Sequence, residues 1–122
     1  MQLFNDLYSI ISADSTSARY SIVLNPEHAI YKAHFPGNPI TPGVCTIQIA
    51  QNLLCQHLGR KLTLVGIKNV KFLQPIVPSE SKTFDVVFKS ITSEQTTVSA
   101  TVDFLCEHTT YARLSLSFSY DS

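Results

Sequence analysis

The chain has 122 residues, 44% of them hydrophobic and 15% charged, which predicts one soluble globular domain spanning residues 1–122. Nine basic and nine acidic side chains cancel, so the charge balance gives no support to nucleic-acid binding. No apolar run is long enough to cross a membrane, and no basic region followed by an apolar stretch opens the chain, so we expect a cytoplasmic protein with reduced cysteines.

The first quarter of the chain alternates between several patterns. Apolar residues at positions 3, 4, 7, 8 and 11 have helical spacing and predict a short helix. The polar residues 12–17 predict a turn, residues 18–24 predict a strand, and residues 25–33 predict an irregular segment.

A longer helix is predicted from Pro42 to Leu58, because no proline or glycine interrupts the chain after Gly43 until Gly59. Thr41 has the right side chain and position to be its N-cap, with Pro42 as the first helical residue.

The remainder of the chain has the two-residue period of strands. Residues 62–72 predict a strand, and residues 74–81, with two prolines, predict a break. Three further strands each have one apolar face, with links at residues 90–95 and 107–109. The apolar positions are Phe84, Val86 and Phe88, then Val98, Ala100, Val102, Phe104 and Cys106, then Ala112, Leu114, Leu116, Phe118 and Tyr120. One long helix with a run of antiparallel strands predicts an α+β fold whose sheet covers the helix.

Residues 34–44 form the most informative motif, His-Phe-Pro-Gly-Asn-Pro-Ile-Thr-Pro-Gly-Val. Its three prolines restrict the backbone, and the helix that follows has unpaired N–H groups at its start. Since Gly43 has no side chain to shield its amide, a carbonyl oxygen can approach it. The near-neutral pKa of histidine makes His34 the candidate proton carrier. The alternative is a structural role, in which His34 braces the proline turn.

This motif resembles the signature of the beta-hydroxyacyl-acyl-carrier-protein dehydratases, which have the hot-dog fold, a long central helix wrapped by an antiparallel sheet. Residues 66–72 and 74–78 are similar to the second, looser motif of that family. The resemblance implies a homodimer that acts on a 3-hydroxyacyl thioester of an acyl carrier protein or coenzyme A, without a metal or other cofactor. The acyl chain is expected in an apolar tunnel between helix and sheet.

The same resemblance implies roles for individual residues. His34 is the expected general base, which removes the α-proton, while the Gly43 amide polarises the thioester carbonyl. The surrounding motif residues are expected to contact the substrate; they are Phe35, Gly37, Pro42 and Val44.

The chain departs from that family at one catalytic position. The family has a carboxylate fourteen residues after the histidine, where this chain has Gln48. An amide neither gives nor takes a proton at neutral pH. Gln48 is therefore predicted either to hydrogen-bond the substrate as a catalytic residue or to lie at a solvent or dimer face. Glu27, the nearest upstream carboxylate, is a possible substitute.

Two other functions remain open. A thioesterase would use His34 and Gln48 to position a water at the thioester carbon. A non-catalytic acyl-binding subunit would pair with a related chain that supplies the missing carboxylate.

The polar stripe on the predicted helix and Cys45 at its start are both assigned from their positions in the sequence. Gln48, Gln51, Asn52 and Gln56 form a polar stripe predicted to face solvent or a second subunit. Cys45 is expected to be a small core residue rather than a reactive thiolate.

Asp85 and Asp103 are predicted to face outward. His28, His57 and His108 lack metal-ligand spacing and are expected to be surface or turn residues. Lys32, Lys68 and Lys71 are candidates for weak contacts with an acidic carrier protein or coenzyme A phosphates.

Overall fold

A computed structural model describes residues 6–33 and 37–121. Its elements in chain order are strands β1 (Tyr8–Asp14) and β2 (Arg19–Leu24), helices α1 (Ala29–Ala33) and α2 (Gly43–Leu58), and strands β3 (Leu62–Phe72), β4 (Phe84–Ser93), β5 (Thr97–Cys106) and β6 (Thr109–Tyr120). The described strands form one antiparallel sheet in the order β1-β2-β4-β5-β6-β3, so β1 and β3 are its edges.

The core lies between α2 and one face of the sheet. Helix α2 buries six residues, namely Cys45, Thr46, Ile49, Ala50, Leu53 and Leu54. They join the inward residues of β2, β4, β5 and β6 in one apolar cluster. All the apolar positions predicted to face the core on β4, β5 and β6 are buried, apart from the half-buried Tyr120. The α+β architecture predicted from the sequence is therefore confirmed.

The predicted N-terminal helix is wrong for the part of it that the structure describes. Residues 1–5 lie outside the described residues, but Tyr8–Asp14 is strand β1. Its backbone pairs with β2 from Tyr8 opposite Leu24 to Asp14 opposite Arg19. The apolar spacing also fits a strand with a bulge between Ile10 and Ser12, and pairing with β2 decides the conformation.

Other boundaries shift by a few residues. The predicted turn at residues 12–17 contracts to residues 15–18, where the Asp14 carboxylate accepts the Thr16 amide at 3.0 Å. The segment predicted to be irregular contains α1. Strand β4 continues to Ser93, so the following link is shorter than predicted. The predicted β5–β6 link is confirmed as a turn at Glu107 and His108, whose φ angles of 50° and 69° fit a two-residue type I′ hairpin.

The prediction that Asp103 faces outward is wrong, because its side chain is only 1% exposed. Asp103 lies directly opposite Arg113 on the neighbouring strand. The Arg113 Nε and Nη2 atoms donate to its two carboxylate oxygens at 2.8 and 2.9 Å. This carboxylate raises the pKa of the Arg113 guanidinium through the hydrogen bonds and its charge. Asp85 is half-buried and pairs with Arg19, whose side chain is 49% exposed.

We expect Arg113→Ala to lower the midpoint of thermal unfolding by several degrees, because it leaves the Asp103 carboxylate buried without its cation. Arg19→Ala is the matched control, since it removes a more exposed cross-strand pair and should change the midpoint much less. Circular dichroism measures the unfolding midpoint of both variants. Equal decreases in the midpoint would contradict the claim that burial of the Asp103 carboxylate makes its ion pair more important for stability.

Candidate active site at the start of helix α2

The segment that leads from the histidine motif into α2 is held in a defined path. His34 and Phe35 lie outside the described residues, so their roles remain predictions. Gly37 has a φ of +81°, a left-handed conformation that glycine adopts without strain. Pro39 and Ile40 are half-buried and Thr41 is buried, so the segment sinks into the protein as it approaches α2.

Thr41 is anchored on two sides. Its hydroxyl lies 2.9 Å from the hydroxyl of Tyr31 on α1. Its backbone N–H donates to the Ile76 carbonyl in the β3–β4 connection at 2.8 Å. Because of these contacts, the prediction that Thr41 caps α2 is wrong.

The N-cap of α2 is instead Pro42, and no side chain in the described part of the chain hydrogen-bonds to this end of the helix. The first amides of a helix have no acceptor within the helix. The predicted oxyanion position at the Gly43 amide therefore lies on a helix end that no side chain among the described residues caps by a hydrogen bond.

The Gly43 backbone is in close contact with the end of β3. A Cβ atom placed on Gly43 would lie 3.0 Å from Cε2 and Cζ of Phe72, tighter than van der Waals contact allows. The Phe72 side chain remains 48% exposed, so its ring forms a partly open wall beside the first turn of α2. Val44 is 63% exposed and Pro42 is half-buried, so both remain near the surface.

Gln48 lies on α2 further along from Gly43, and it is half-buried. Its Nε2 donates to Oδ1 of Asn52 at 2.8 Å. The carbonyl oxygen and the second N–H of the amide therefore remain for another partner. The predicted polar stripe is divided, because Gln51 turns inward and donates to the Leu62 carbonyl at 2.9 Å.

The interior beneath this site is tightly closed. The described residues that line the space between α2 and the sheet leave no room for a water molecule; they are Ile22, Leu24, Thr41, Thr46, Ile49, Ile76, Phe84 and Phe104. The Thr46 hydroxyl is buried there, and no described residue is its hydrogen-bond partner. In this form of the chain, the tunnel expected between helix and sheet is shut.

The other candidate residues have structural roles. Cys45 is buried, and burial raises the pKa of its thiol, which agrees with the core role favoured for it. His57 is not a simple surface residue, because its Nδ1 lies 2.6 Å from the Tyr20 hydroxyl. His28 accepts the Ile30 amide at 3.0 Å. Lys32, Lys68 and Lys71 are exposed.

Across residues 6–33 and 37–121, no group of three or more His, Cys, Asp or Glu side chains is arranged to hold a metal ion. Neither of the helices found in those ranges has the length and apolar character needed to span a membrane.

Known proteins with similar sequences are dehydratases. The 3-hydroxyacyl-acyl-carrier-protein dehydratase FabZ of Ligilactobacillus salivarius is 28% identical over 98 residues, which cover 75% of this chain and 69% of that protein. The FabZ of Idiomarina loihiensis is 32% identical over 90 residues, covering 64% of this chain and 57% of that protein.

Solved structures of similar shape share the fold. A chain of the dehydratase heterocomplex ApeI:P from Xenorhabdus doucetiae superposes with a TM-score of 0.73 at 19% identity, covering 91% of this chain and 96% of that one. The thioesterase HI1161 of Haemophilus influenzae has a TM-score of 0.65 at 12% identity, covering 98% and 82%.

The fold and the motif together define a hot-dog protein of the dehydratase class, as the sequence predicts. Its function is accordingly acyl-binding and dehydratase-like. The chain belongs to the ApeI-like family, whose model, described as ApeI dehydratase, matches residues 10–114.

Sequence reasoning missed three residues that shape this site. Tyr31 lies in a segment predicted to be irregular, Thr41 is predicted to cap the helix, and Phe72 is predicted only as the end of a strand in the looser family motif, without a contact at the site. The apolar residues Ala29, Ile30 and Ala33 around Tyr31, just before the histidine, are the one local signal for a buried anchor at Tyr31.

We expect Gly43→Ala and Phe72→Leu to be energetically coupled, because the new methyl group would meet the Phe72 ring. The unfavourable part of Gly43→Ala should fall by about 1 kcal/mol when Phe72 is already leucine. Urea unfolding of the two single variants and the double variant measures this coupling.

Gly66→Ala serves as the control, because its Cβ would make only an ordinary contact of 3.8 Å with Ser117. It should add independently to Phe72→Leu. Additive effects for Gly43→Ala as well would show that the Phe72 ring does not restrict this position.

Proposed function

We propose that this chain is a cytoplasmic 3-hydroxyacyl thioester dehydratase that lacks the usual general acid and therefore turns over slowly. Its substrate is carried on an acyl carrier protein or coenzyme A. The observation that carries the proposal is the start of α2, which no described side chain caps and where Gly43 lies within the histidine motif of a chain of the ApeI-like dehydratase family. Such a helix end stabilises negative charge on a substrate oxygen.

The proposed reaction begins at the carbon next to the thioester carbonyl. His34 takes the α-proton, and the negative charge that develops on the carbonyl oxygen is stabilised by the Gly43 amide. The bond between the β-carbon and its hydroxyl then breaks as the double bond forms. The hydroxyl leaves as water once it has received a proton.

Gln48 replaces the helix carboxylate of the resembled family in this proposal. Its half-buried amide can hold the departing hydroxyl by a hydrogen bond, but it has no proton to transfer. His34 must then return the proton it has taken. Loss of a general acid costs roughly 10²–10⁴-fold in rate, so slow turnover is expected.

We propose that the working unit is a homodimer whose sites are shared between subunits. The interior beside α2 is closed, so an acyl chain must lie against the outer surface of one subunit or between two. Large apolar residues are exposed in the first turn of α2 and along or just after β3, namely Val44, Val65, Ile67, Phe72 and Leu73. Four of these belong to edge strand β3 or directly follow it. A second copy would cover this apolar surface and complete the edge.

A second candidate is a subunit of a mixed dehydratase. The Xenorhabdus doucetiae relative of similar fold is described as a chain of a dehydratase heterocomplex. By analogy, this chain would supply one set of residues and a related partner would supply the carboxylate that Gln48 lacks. The thioesterase alternative is supported by similarity of fold alone.

Gln48→Glu tests the proposed loss of the general acid. The change hardly alters side-chain volume or helix propensity, and a partly desolvated carboxyl favours the protonated form that donates a proton. We expect conversion of a 3-hydroxyacyl thioester into the enoyl thioester to rise by about 10²-fold, or less if the surrounding residues hold the new group poorly. Product analysis by mass spectrometry separates the enoyl thioester from a free acid.

Gln56→Glu is the matched control, because it makes the same change at an exposed position on the same helix and should leave the rate unaltered. His34→Ala should abolish conversion in both backgrounds. A folded Gln48→Glu dimer that releases only free acid would support the thioesterase, and one that forms neither product would support the mixed dehydratase subunit.

Ile67→Lys should convert the dimer into a monomer, because it places a charge in the proposed contact along β3. Ile11→Lys is its matched control, since Ile11 lies on the opposite edge strand and is 57% exposed against 54% for Ile67. Sedimentation velocity at micromolar concentration measures both. A monomeric wild type, or dissociation by both variants alike, would refute a dimer through β3.

A further inference from the structure

Two buried hydroxyl groups join the flanks of the histidine motif. Tyr31 is 3% exposed and Thr41 is 6% exposed, and their hydroxyl oxygens lie 2.9 Å apart. They are ten residues apart in the chain, and residues 32–40 between them include the motif histidine. The pair thus closes that stretch into a loop whose two ends are tied to each other.

Both ends of this loop are also fixed to the rest of the fold. The Thr41 amide is bound to the Ile76 carbonyl at 2.8 Å, and Ile76 is itself 4% exposed in the core. The Tyr31 amide donates to the His28 carbonyl at 3.1 Å, which anchors the other end within the turn that opens α1. Burial raises the pKa of the Tyr31 phenol, so the pair stays neutral across the physiological range.

The hydroxyl of Thr41 serves this pair instead of the helix that follows it. The side-chain oxygen of a threonine next to a helix start ordinarily accepts a hydrogen bond from one of the first amides of that helix. Here the N-cap is Pro42, and none of the described side chains accepts a hydrogen bond from the amides at the start of α2. One hydrogen bond therefore ties the motif and leaves the helix end open to a substrate oxygen.

We propose that Tyr31 and Thr41 are positioning residues, whose hydroxyl pair fixes both flanks of the segment that carries His34 and so restrains that histidine for proton transfer. This inference rests on the proposed role of His34 as general base. The pair does not touch the reacting atoms and acts through the path of the loop. Proton transfer requires a base held at hydrogen-bonding distance, and misplacement by about 1 Å costs up to 10²-fold in rate.

The test compares Tyr31→Phe, Thr41→Val and the double variant, each of which removes hydroxyl groups with little change in volume. We expect kcat for enoyl thioester formation to fall about tenfold in each single variant, with KM changed less than about twofold. The double variant should be no slower than the worse single variant, because both changes break the same contact. Thr41→Ser keeps the hydroxyl and should restore most of the rate.

A second measurement does not depend on activity. We expect the imidazole signals of His34, followed by NMR through a pH titration and assigned with His34→Ala, to shift in Tyr31→Phe and Thr41→Val. The signals of His108, exposed in the β5–β6 turn, provide the internal control and should stay in place. If the wild type converts no thioester, the proposed function fails, and the His34 signals still decide whether the hydroxyl pair positions the loop.

A purely structural pair would give a different result. Lower unfolding midpoints with unchanged kcat and unchanged His34 signals would overturn the inference. Additive losses in the double variant would overturn it as well. If Tyr31→Phe does not fold, the comparison of Thr41→Val with Thr41→Ser, which differ in the hydroxyl, decides the question in the same way.

Discussion

The packing of one face of α2 against the sheet is the constraint on which the rest of the structure depends. Ile49, Leu53 and Leu54 are essentially fully buried, and loss of any one of these side chains to alanine would cost about 2–5 kcal/mol. Burial of this face determines the rotation of the helix about its axis. It therefore leaves Gln48 and Asn52 toward the outside and brings Gly43 against the Phe72 ring. Core packing and site geometry are two consequences of the same contact.

The site is built mainly from backbone and neutral groups. The helix end next to Gly43 offers amides and a partial positive charge, and the position expected to hold a carboxylate holds the Gln48 amide. In the proposed reaction such a site would bind and polarise a thioester, and it would rely on His34 alone for proton transfer. The neutral Tyr31–Thr41 pair fits this picture, since it restrains the loop without adding a charge that would perturb that histidine.

The surface of the subunit explains why a second chain is expected. The interior beside Thr46 has no space for a ligand, whereas Val44, Val65 and Ile67 are all more than half exposed. Exposure of large apolar residues along an unpaired strand edge is unfavourable in water and favours association. An acyl chain is also apolar and favours burial away from water, so the covering subunit and the substrate would share this apolar surface.

Local periodicity in the sequence determined which residues of β4, β5 and β6 face the core, and the positions of proline and glycine located α2 to within one residue, because both signals depend on neighbours within a few positions. The motif at residues 34–44 was likewise sufficient to identify the dehydratase class. Tertiary structure alone decided contacts between distant residues. Pairing with β2 made Tyr8–Asp14 a strand, and the ion pair with Arg113 allowed Asp103 to be buried. The hydroxyl of Thr41 pairs with the hydroxyl of Tyr31 and does not cap the helix. In each case the deciding partner atom belongs to another element of the fold, and residue spacing carries no information about where that atom lies.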